Sequence, residues 1–324
     1  MTARRILIAV FAIICGAAQA DVAKAGVTYI ALGDSISFGE TDLNYVQSNG
    51  DRGYVSLLAN SMAGQNGGVR PNVINLAIDG ETTSSFNTGV GRVPPVVGRT
   101  DATLASENTN YNPNALATQN ATFLAAVATQ KSLGNTVGTV SISLGDNNLF
   151  TLANLPGFTP GSAVDPMLAP TLAAYQAGYS SILAEIRGLL PNAKILLIGS
   201  YNPFPAEPGN AFGPLAAAGG AQVNTIIQGL ASQYNSQYVD TFTPFAGHEA
   251  AYTYQAQLPS GSSVGGTYAG TLPLGDVHPN ALGYSVIAAA AAVPEPSSLV
   301  LLGLGLVATV GFARNRTRSE ASAA

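Results

Sequence analysis

Four short stretches hold residues able to carry out acyl transfer. They are Gly33-Asp34-Ser35 in "YIALGDSIS", Gly80 in "AIDGETTS", Gly145-Asp146-Asn147-Asn148 in "LGDNN" and His278-Pro279 in "GDVHPN". Together they offer a hydroxyl, a backbone amide at a small residue, a carboxamide donor and an imidazole. Acyl transfer needs such a set: a nucleophile, a base for its proton, and donors aimed at the oxyanion that develops. Ser35 is the candidate nucleophile and His278 the candidate base. The Ser35 and Gly80 amides and the Asn147 side chain are the candidate oxyanion donors. Each stretch has a plain alternative: a serine that caps a helix, a turn glycine, a turn asparagine. The order of all four, three behind an apolar run and His278 just before the last helical pattern, is what points to chemistry. The second histidine, His248 in "FAGHEA", is followed by no proline and no expected helix. "GSSVG" (261–265), centred on Ser263, matches a nucleophile-elbow pattern. That pattern has meaning only between a strand and a helix, and here it lies in a Gly/Ser-rich stretch.

The elements that must position these residues are legible as apolar runs. Residues 27–32, 72–78, 136–144, 194–200 and 237–242 read as strands, mostly continuous rather than alternating, which suits parallel strands buried on both faces. Helical patterns fall at 53–63, 114–132, 167–190, 214–234 and 280–292. The stretches 84–112, 151–166, 202–213 and 246–273 are rich in Gly, Pro, Asn and Thr and read as loops around one sheet. Strand–helix alternation predicts an α/β, doubly wound sheet with helices on both faces. Ligands of such sheets bind outside the C-terminal strand ends, where all four candidate stretches fall.

The two chain ends read as sorting signals. Residues 1–20 carry Arg4 and Arg5, the apolar run "ILIAVFAII" and a small-residue cleavage site, "AQA", the pattern of a secretory signal. The single cysteine, Cys15, lies inside it, so cleavage leaves no thiol for catalysis, disulfides or zinc. At the other end Pro294-Glu295-Pro296 precedes an apolar stretch, Leu299 to Phe312, and then Arg314, Arg316 and Arg318. The stretch is shorter than the roughly 20 residues of a free-standing span. This tail resembles the PEP-CTERM sorting signal of Gram-negative bacteria. The resemblance implies export, transient retention at the inner membrane and removal of the tail by an exosortase, leaving the product outside the cell or on its surface. The domains are then 1–20 signal, 21–293 hydrolase domain and 294–324 tail. Removing five arginines and two glutamates with the ends shifts the formal charge from −5 to −8. So acidic a surface is a poor partner for nucleic acid.

From about Thr28 to Ala292 the chain resembles the SGNH hydrolases, the GDSL esterase/lipase family, on the four stretches quoted above. The resemblance implies a three-layer α/β/α sandwich of flavodoxin-like type, with a five-stranded parallel sheet in the order 2-1-3-4-5. It places the nucleophile on Ser35, the oxyanion groups on Ser35, Gly80 and Asn147, and the base on His278. It implies no metal or organic cofactor and a carboxylic ester substrate: a small acyl ester, a lipid ester or an acylated polysaccharide. Two positions depart from the family pattern. Asn148 stands where the third motif ends in Asp. The acid usually lies three residues before the histidine, whereas this chain has Gly275 there and Asp276 two before. Asp276 either adjusts to complete a triad or turns away and leaves a Ser–His dyad. A non-catalytic matrix or surface component on the same fold, and an acyltransferase, are the alternative readings. Tyr252, Tyr254 and Tyr268 are candidates to line an acyl or sugar site, with surface packing the plainer role.

Overall fold

A computed structural model describes residues 26–40, 51–65, 67–93, 118–153, 167–203, 212–254, 262–263, 266–267 and 277–293. The signal, the tail, Asp276 and Tyr268 lie outside these residues. Five strands form one parallel sheet: β1 (Val27–Gly33), β2 (Asn72–Asn75), β3 (Thr136–Ser143), β4 (Lys194–Ile198) and β5 (Gln237–Val239), in the order β2-β1-β3-β4-β5. This is the order the resemblance implied. A two-stranded antiparallel ribbon, β6 (Ser262–Ser263) and β7 (Gly266–Thr267), is separate from it. The helices are α1 (Ser35–Phe38), α2 (Gly53–Gln65), α3 (Ser85–Thr88), α4 (Gln119–Ser132), α5 (Asp146–Ala153), α6 (Leu168–Leu189), α7 (Phe212–Gln233), α8 (Phe242–Phe245), α9 (Glu249–Tyr252) and α10 (Ala281–Ala292).

Strand geometry sends successive side chains to opposite faces, and the core divides accordingly. Ile30, Leu32, Val140, Ile142, Ile195 and Leu197 join Phe123 of α4, Tyr179 and Ile182 of α6 and Val223 and Ile227 of α7 on one face. Tyr29, Ala31, Leu196, Ile198 and Val239 join Tyr54, Val55 and Leu58 of α2 and Tyr284 and Ile287 of α10 on the other. The second face also holds a buried polar chain. Tyr29 Oη meets Ser141 Oγ at 2.7 Å, and Tyr54 Oη meets Ser141 Oγ at 3.1 Å and Ser37 Oγ at 2.8 Å. Each hydroxyl is satisfied by another, as buried polar groups must be.

The long elements match the sequence expectation, and the differences are local. β2 ends at Asn75, whose Oδ1 accepts from Ala77 N at 3.1 Å and whose Nδ2 donates to Ser37 O at 2.8 Å, while Leu76 N and Ile78 N still donate to Ala31 O and Gly33 O of β1. Residues 84–112, expected as loop, contain α3. Residues 246–273 contain α9 and the ribbon. α5 begins where "GDNN" reads as a turn and runs into the expected loop at 151. Such short helices are set by neighbours rather than by propensity.

Candidate functional site

Each candidate stretch follows a strand at the C-terminal edge of the sheet or opens a helix beside it. β1 ends at Gly33, whose φ of +120° needs a glycine; an added Cβ would lie 2.0 Å from Ser143 O. That close approach lets the chain turn sharply into α1. Asp34 caps α1, its side chain accepting from Ile36 N at 3.1 Å. Ser35 is the first residue of the helix and is buried. The cap is therefore Asp34, and the plain reading of Ser35 as a capping serine fails. In the first turn the Ser35 amide has no intrahelical acceptor, which leaves it suited to an external oxyanion.

Gly80 lies in the turn after β2 with φ +73°, and an added Cβ there would lie 2.0 Å from Val93 O. Its carbonyl accepts from Val93 N at 2.9 Å, which ties the start of this loop to its far end. Asn147, second residue of α5, is buried and donates from Nδ2 to Glu81 O at 3.1 Å. A carboxamide nitrogen carries two hydrogens, and one of them is fixed on the Gly80 loop. Asn148 binds the same loop twice: Thr83 N donates to its Oδ1 at 3.2 Å, and its Nδ2 donates to Thr83 Oγ1 at 3.1 Å. An aspartate could accept from the same Thr83 amide and hydroxyl, so the departure from the family motif keeps this contact to the loop.

His278 is buried just ahead of α10, and its backbone is clamped from several sides. Tyr201 Oη donates to Val277 O at 3.0 Å, and Tyr254 N donates to His278 O at 3.1 Å. Asn280 donates from Nδ2 to Ala251 O at 2.7 Å and Thr253 O at 3.2 Å, while its Oδ1 caps α10 by accepting from Leu282 N and Gly283 N, each at 3.0 Å. Two buried carboxyls, Asp34 and Asp146, feel the charge of His278, and Asp34 also feels that of Asp146, so the starts of α1 and α5 and the histidine segment share one electrostatic environment. Ser200 Oγ, beyond β4, donates to Asp146 Oδ1.

A model of the GDSL-like lipase/acylhydrolase family matches residues 31–286. The chain belongs to that family. It is a GDSL-type carboxylic ester hydrolase. The PEP-CTERM protein-sorting motif matches residues 292–316, which marks an exported protein processed at its C-terminus. Among curated protein sequences, none matches the chain significantly. Among the solved structures similar to the chain, two illustrate the fold. One is a mutant of Axe2, an acetyl-xylooligosaccharide esterase from Geobacillus stearothermophilus (18% identity, 84% of this chain and 96% of that one, TM-score 0.50). The other is the lipase Lip_vut3 from a goat rumen metagenome (18% identity, 82% and 95%, TM-score 0.51).

The other candidates of this GDSL hydrolase are placed away from such a role or lie outside the described residues. His248 is exposed and stacks on Tyr252, with ring centroids 5.2 Å apart, and Tyr252 packs edge-on against Phe245. Ser263 pairs with Gly266 in the ribbon, not at a strand-to-helix turn, so "GSSVG" is no nucleophile elbow. Three residues that sequence reasoning missed hold the site together: Glu81, Arg92 and Gln119. Glu81 is fully buried and accepts from Arg92 Nε at 3.2 Å, Gln119 Nε2 at 3.0 Å and Ser85 Oγ. A Glu, an Arg and a Gln spread over 39 positions in polar stretches carry no local pattern that would mark them as partners.

Three buried carboxyls set an expected dependence of stability on pH. Burial pushes Asp34 up to about 8, with the nearby Asp146 adding to the rise against the Ile36 amide, Ser143 and His278. Burial raises Glu81 to about 7 against Arg92 and its hydrogen bonds, and Asp146 to about 6 against Ser200 and His278. Unfolded, all three titrate near 4. Their folded-state values are raised, so the folded state holds more protons between about pH 4 and 8. Their contribution to stability is full below about pH 4 and is lost as pH rises through about 6, 7 and 8. Thermal melts at fixed ionic strength should therefore show the melting temperature falling from pH 6 to pH 8.5. Asp34→Asn, which keeps an oxygen for the Ile36 amide, should fall less steeply. A parent melting temperature that climbs across this range would contradict the account.

Proposed function

We propose that the chain is an exported serine esterase that works through an acyl-enzyme. Ser35 Oγ attacks the ester carbonyl while His278 takes its proton. The Ser35 and Gly80 amides and Asn147 Nδ2 hold the oxyanion, and His278 returns the proton to the leaving alkoxide. Water then attacks the acyl-Ser35 ester, again with His278 as base. One oxyanion donor contributes about 3–4 kcal/mol in a well-studied hydrolase. The observation that carries this reading is the hydrogen bond from Asn147 Nδ2 to Glu81 O. It joins the start of α5 to the residue after Gly80, which supports reading the two motifs as one donor cluster. Asp276 is proposed as the orienting acid of His278. The substrate is a carboxylic ester of a small acyl group, a lipid or an acylated polysaccharide. An acyltransferase would share every step up to the acyl-enzyme and differ only in its acceptor.

The test is a fluorophosphonate probe together with 4-nitrophenyl esters of graded chain length. Covalent labelling mapped to Ser35, with turnover of at least one ester, is the expected result. Absence of both would favour a non-catalytic surface component. Product analysis with an added alcohol separates hydrolysis from acyl transfer.

For the tail, the proposal is transient retention at the inner membrane followed by exosortase cleavage. Among the described residues no helix is long and apolar enough to cross a membrane. The intact mass of protein secreted by its native host should place the C-terminus near Pro294-Glu295-Pro296. Extracellular protein ending at Ala324 would exclude this processing.

A further inference from the structure

One buried side chain joins the two loops on which the proposed reaction depends. Gln119, the first residue of α4, is fully buried. Its Oε1 accepts from Gly33 N at 2.7 Å, and its Nε2 donates to Gly33 O at 2.8 Å and to Glu81 Oε2 at 3.0 Å. The carboxamide thus gives both of its hydrogens and accepts one. Gly33 lies two residues before Ser35, and Glu81 directly follows Gly80. Glu81 is in turn fixed from other directions. Arg92 Nε and Ser85 Oγ donate to its carboxylate, and Asn147 Nδ2 donates to its carbonyl. Glu81 therefore connects, through one residue, the nucleophile turn, the Gly80 turn and Asn147.

We propose that Gln119 is a positioning residue for ester hydrolysis, its carboxamide fixing the separation between the Ser35 turn and the oxyanion loop through Gly33 and Glu81. This rests on the serine-esterase reading above. The side-chain type follows from the contacts. Gly33 presents both an N–H and a C=O, and the Glu81 carboxylate presents only acceptors. A group that accepts once and donates twice within one plane satisfies all three, and glutamine is such a group. Methionine would fill the volume and make none of these bonds. Glutamate would keep the bond from Gly33 N and set oxygen against both Gly33 O and the Glu81 carboxylate.

The test compares the full-length parent with Gln119→Met and Gln119→Glu, using 4-nitrophenyl acetate and active-site titration with a fluorophosphonate. Titration counts competent sites, so kcat per titrated site does not depend on how much protein is folded. A shift of about 1 Å in a reacting group costs on the order of 10²-fold in rate. Both variants are expected to lose about that factor in kcat per site, with KM within about threefold of the parent. Gln119→Glu should regain part of the loss at low pH, where the introduced carboxyl holds a proton and donates again. The proposal is overturned if kcat per titrated site stays within about threefold of the parent in both variants while only the melting temperature drops. It is equally overturned if neither variant folds, since the role is then structural alone. A parent with no turnover and no labelling at Ser35 has a different meaning: it removes the esterase reading, and the proposal with it.

Discussion

Ser35→Ala is expected to lower kcat for 4-nitrophenyl acetate by on the order of 10⁴-fold or more, with the melting temperature nearly unchanged. The two halves of this expectation have separate causes. Without Oγ no acyl-enzyme forms, and what survives is the oxyanion donors acting on water. In a well-studied serine hydrolase, loss of the nucleophile costs about 10⁶-fold in kcat. Stability is spared because the backbone, not the hydroxyl, does the local structural work. Ser35 O accepts from Gly39 N at 2.9 Å and Glu40 N at 3.1 Å, and the cap of α1 is Asp34. Alanine keeps all of these bonds. The control is Ser263→Ala, which should leave the rate as it is. Retention of more than roughly a tenth of the activity in Ser35→Ala, with loss in Ser263→Ala, would move the nucleophile to the ribbon.

What could be read in the sequence follows from how local the cause is. The buried strands announce themselves through runs such as "YIAL" and "KILLI", because a parallel strand covered on both faces must be apolar throughout. Their order came from the resemblance, since periodicity is silent on which strand neighbours which. Ser35, Gly80, Asn147 and His278 are legible as candidates because each sits in a short motif at a strand end or helix start. Gln119 escaped because its partners are 86 and 38 positions away, and because a glutamine opening a helix normally faces solvent. Glu81 escaped for a related reason: in "DGETTS" it reads as one more loop acid, yet it is fully buried and meets Arg92. Asn148 shows the intermediate case. Its departure from the family motif is visible in the sequence, but its contacts with Thr83 N and Thr83 Oγ1, 65 positions away, are not.

His278→Ala should be as inactive as Ser35→Ala, and the informative experiment is to set Asp276→Asn beside it. The backbone around the base is held tightly, by Tyr201 at Val277, by Tyr254 at His278 and by Asn280 on the 251–253 carbonyls. The segment is thus positioned whether or not an acid reaches the ring. What a carboxylate on Nδ1 adds is the correct tautomer and a counter-charge for the imidazolium. Asp276 stands one position later than the family pattern, so it must approach the ring from a different direction. The proposed triad requires that the loop before Val277 makes this adjustment. In that case Asp276→Asn should lower kcat by on the order of 10⁴-fold, the loss seen when a serine-protease triad acid becomes an amide. The dyad predicts a different pair of results. With a backbone carbonyl on Nδ1, asparagine at 276 changes little, and the counter-charge comes from Asp146, the buried carboxyl coupled to His278 that ionises at about pH 6. A loss below about tenfold in Asp276→Asn, with His278→Ala inactive, would remove Asp276 from the mechanism. Asp146→Asn then separates the two sources of charge. In a dyad it should weaken activity most above pH 6, where Asp146 has lost its proton, and in a triad it should leave the shape of the pH profile unchanged.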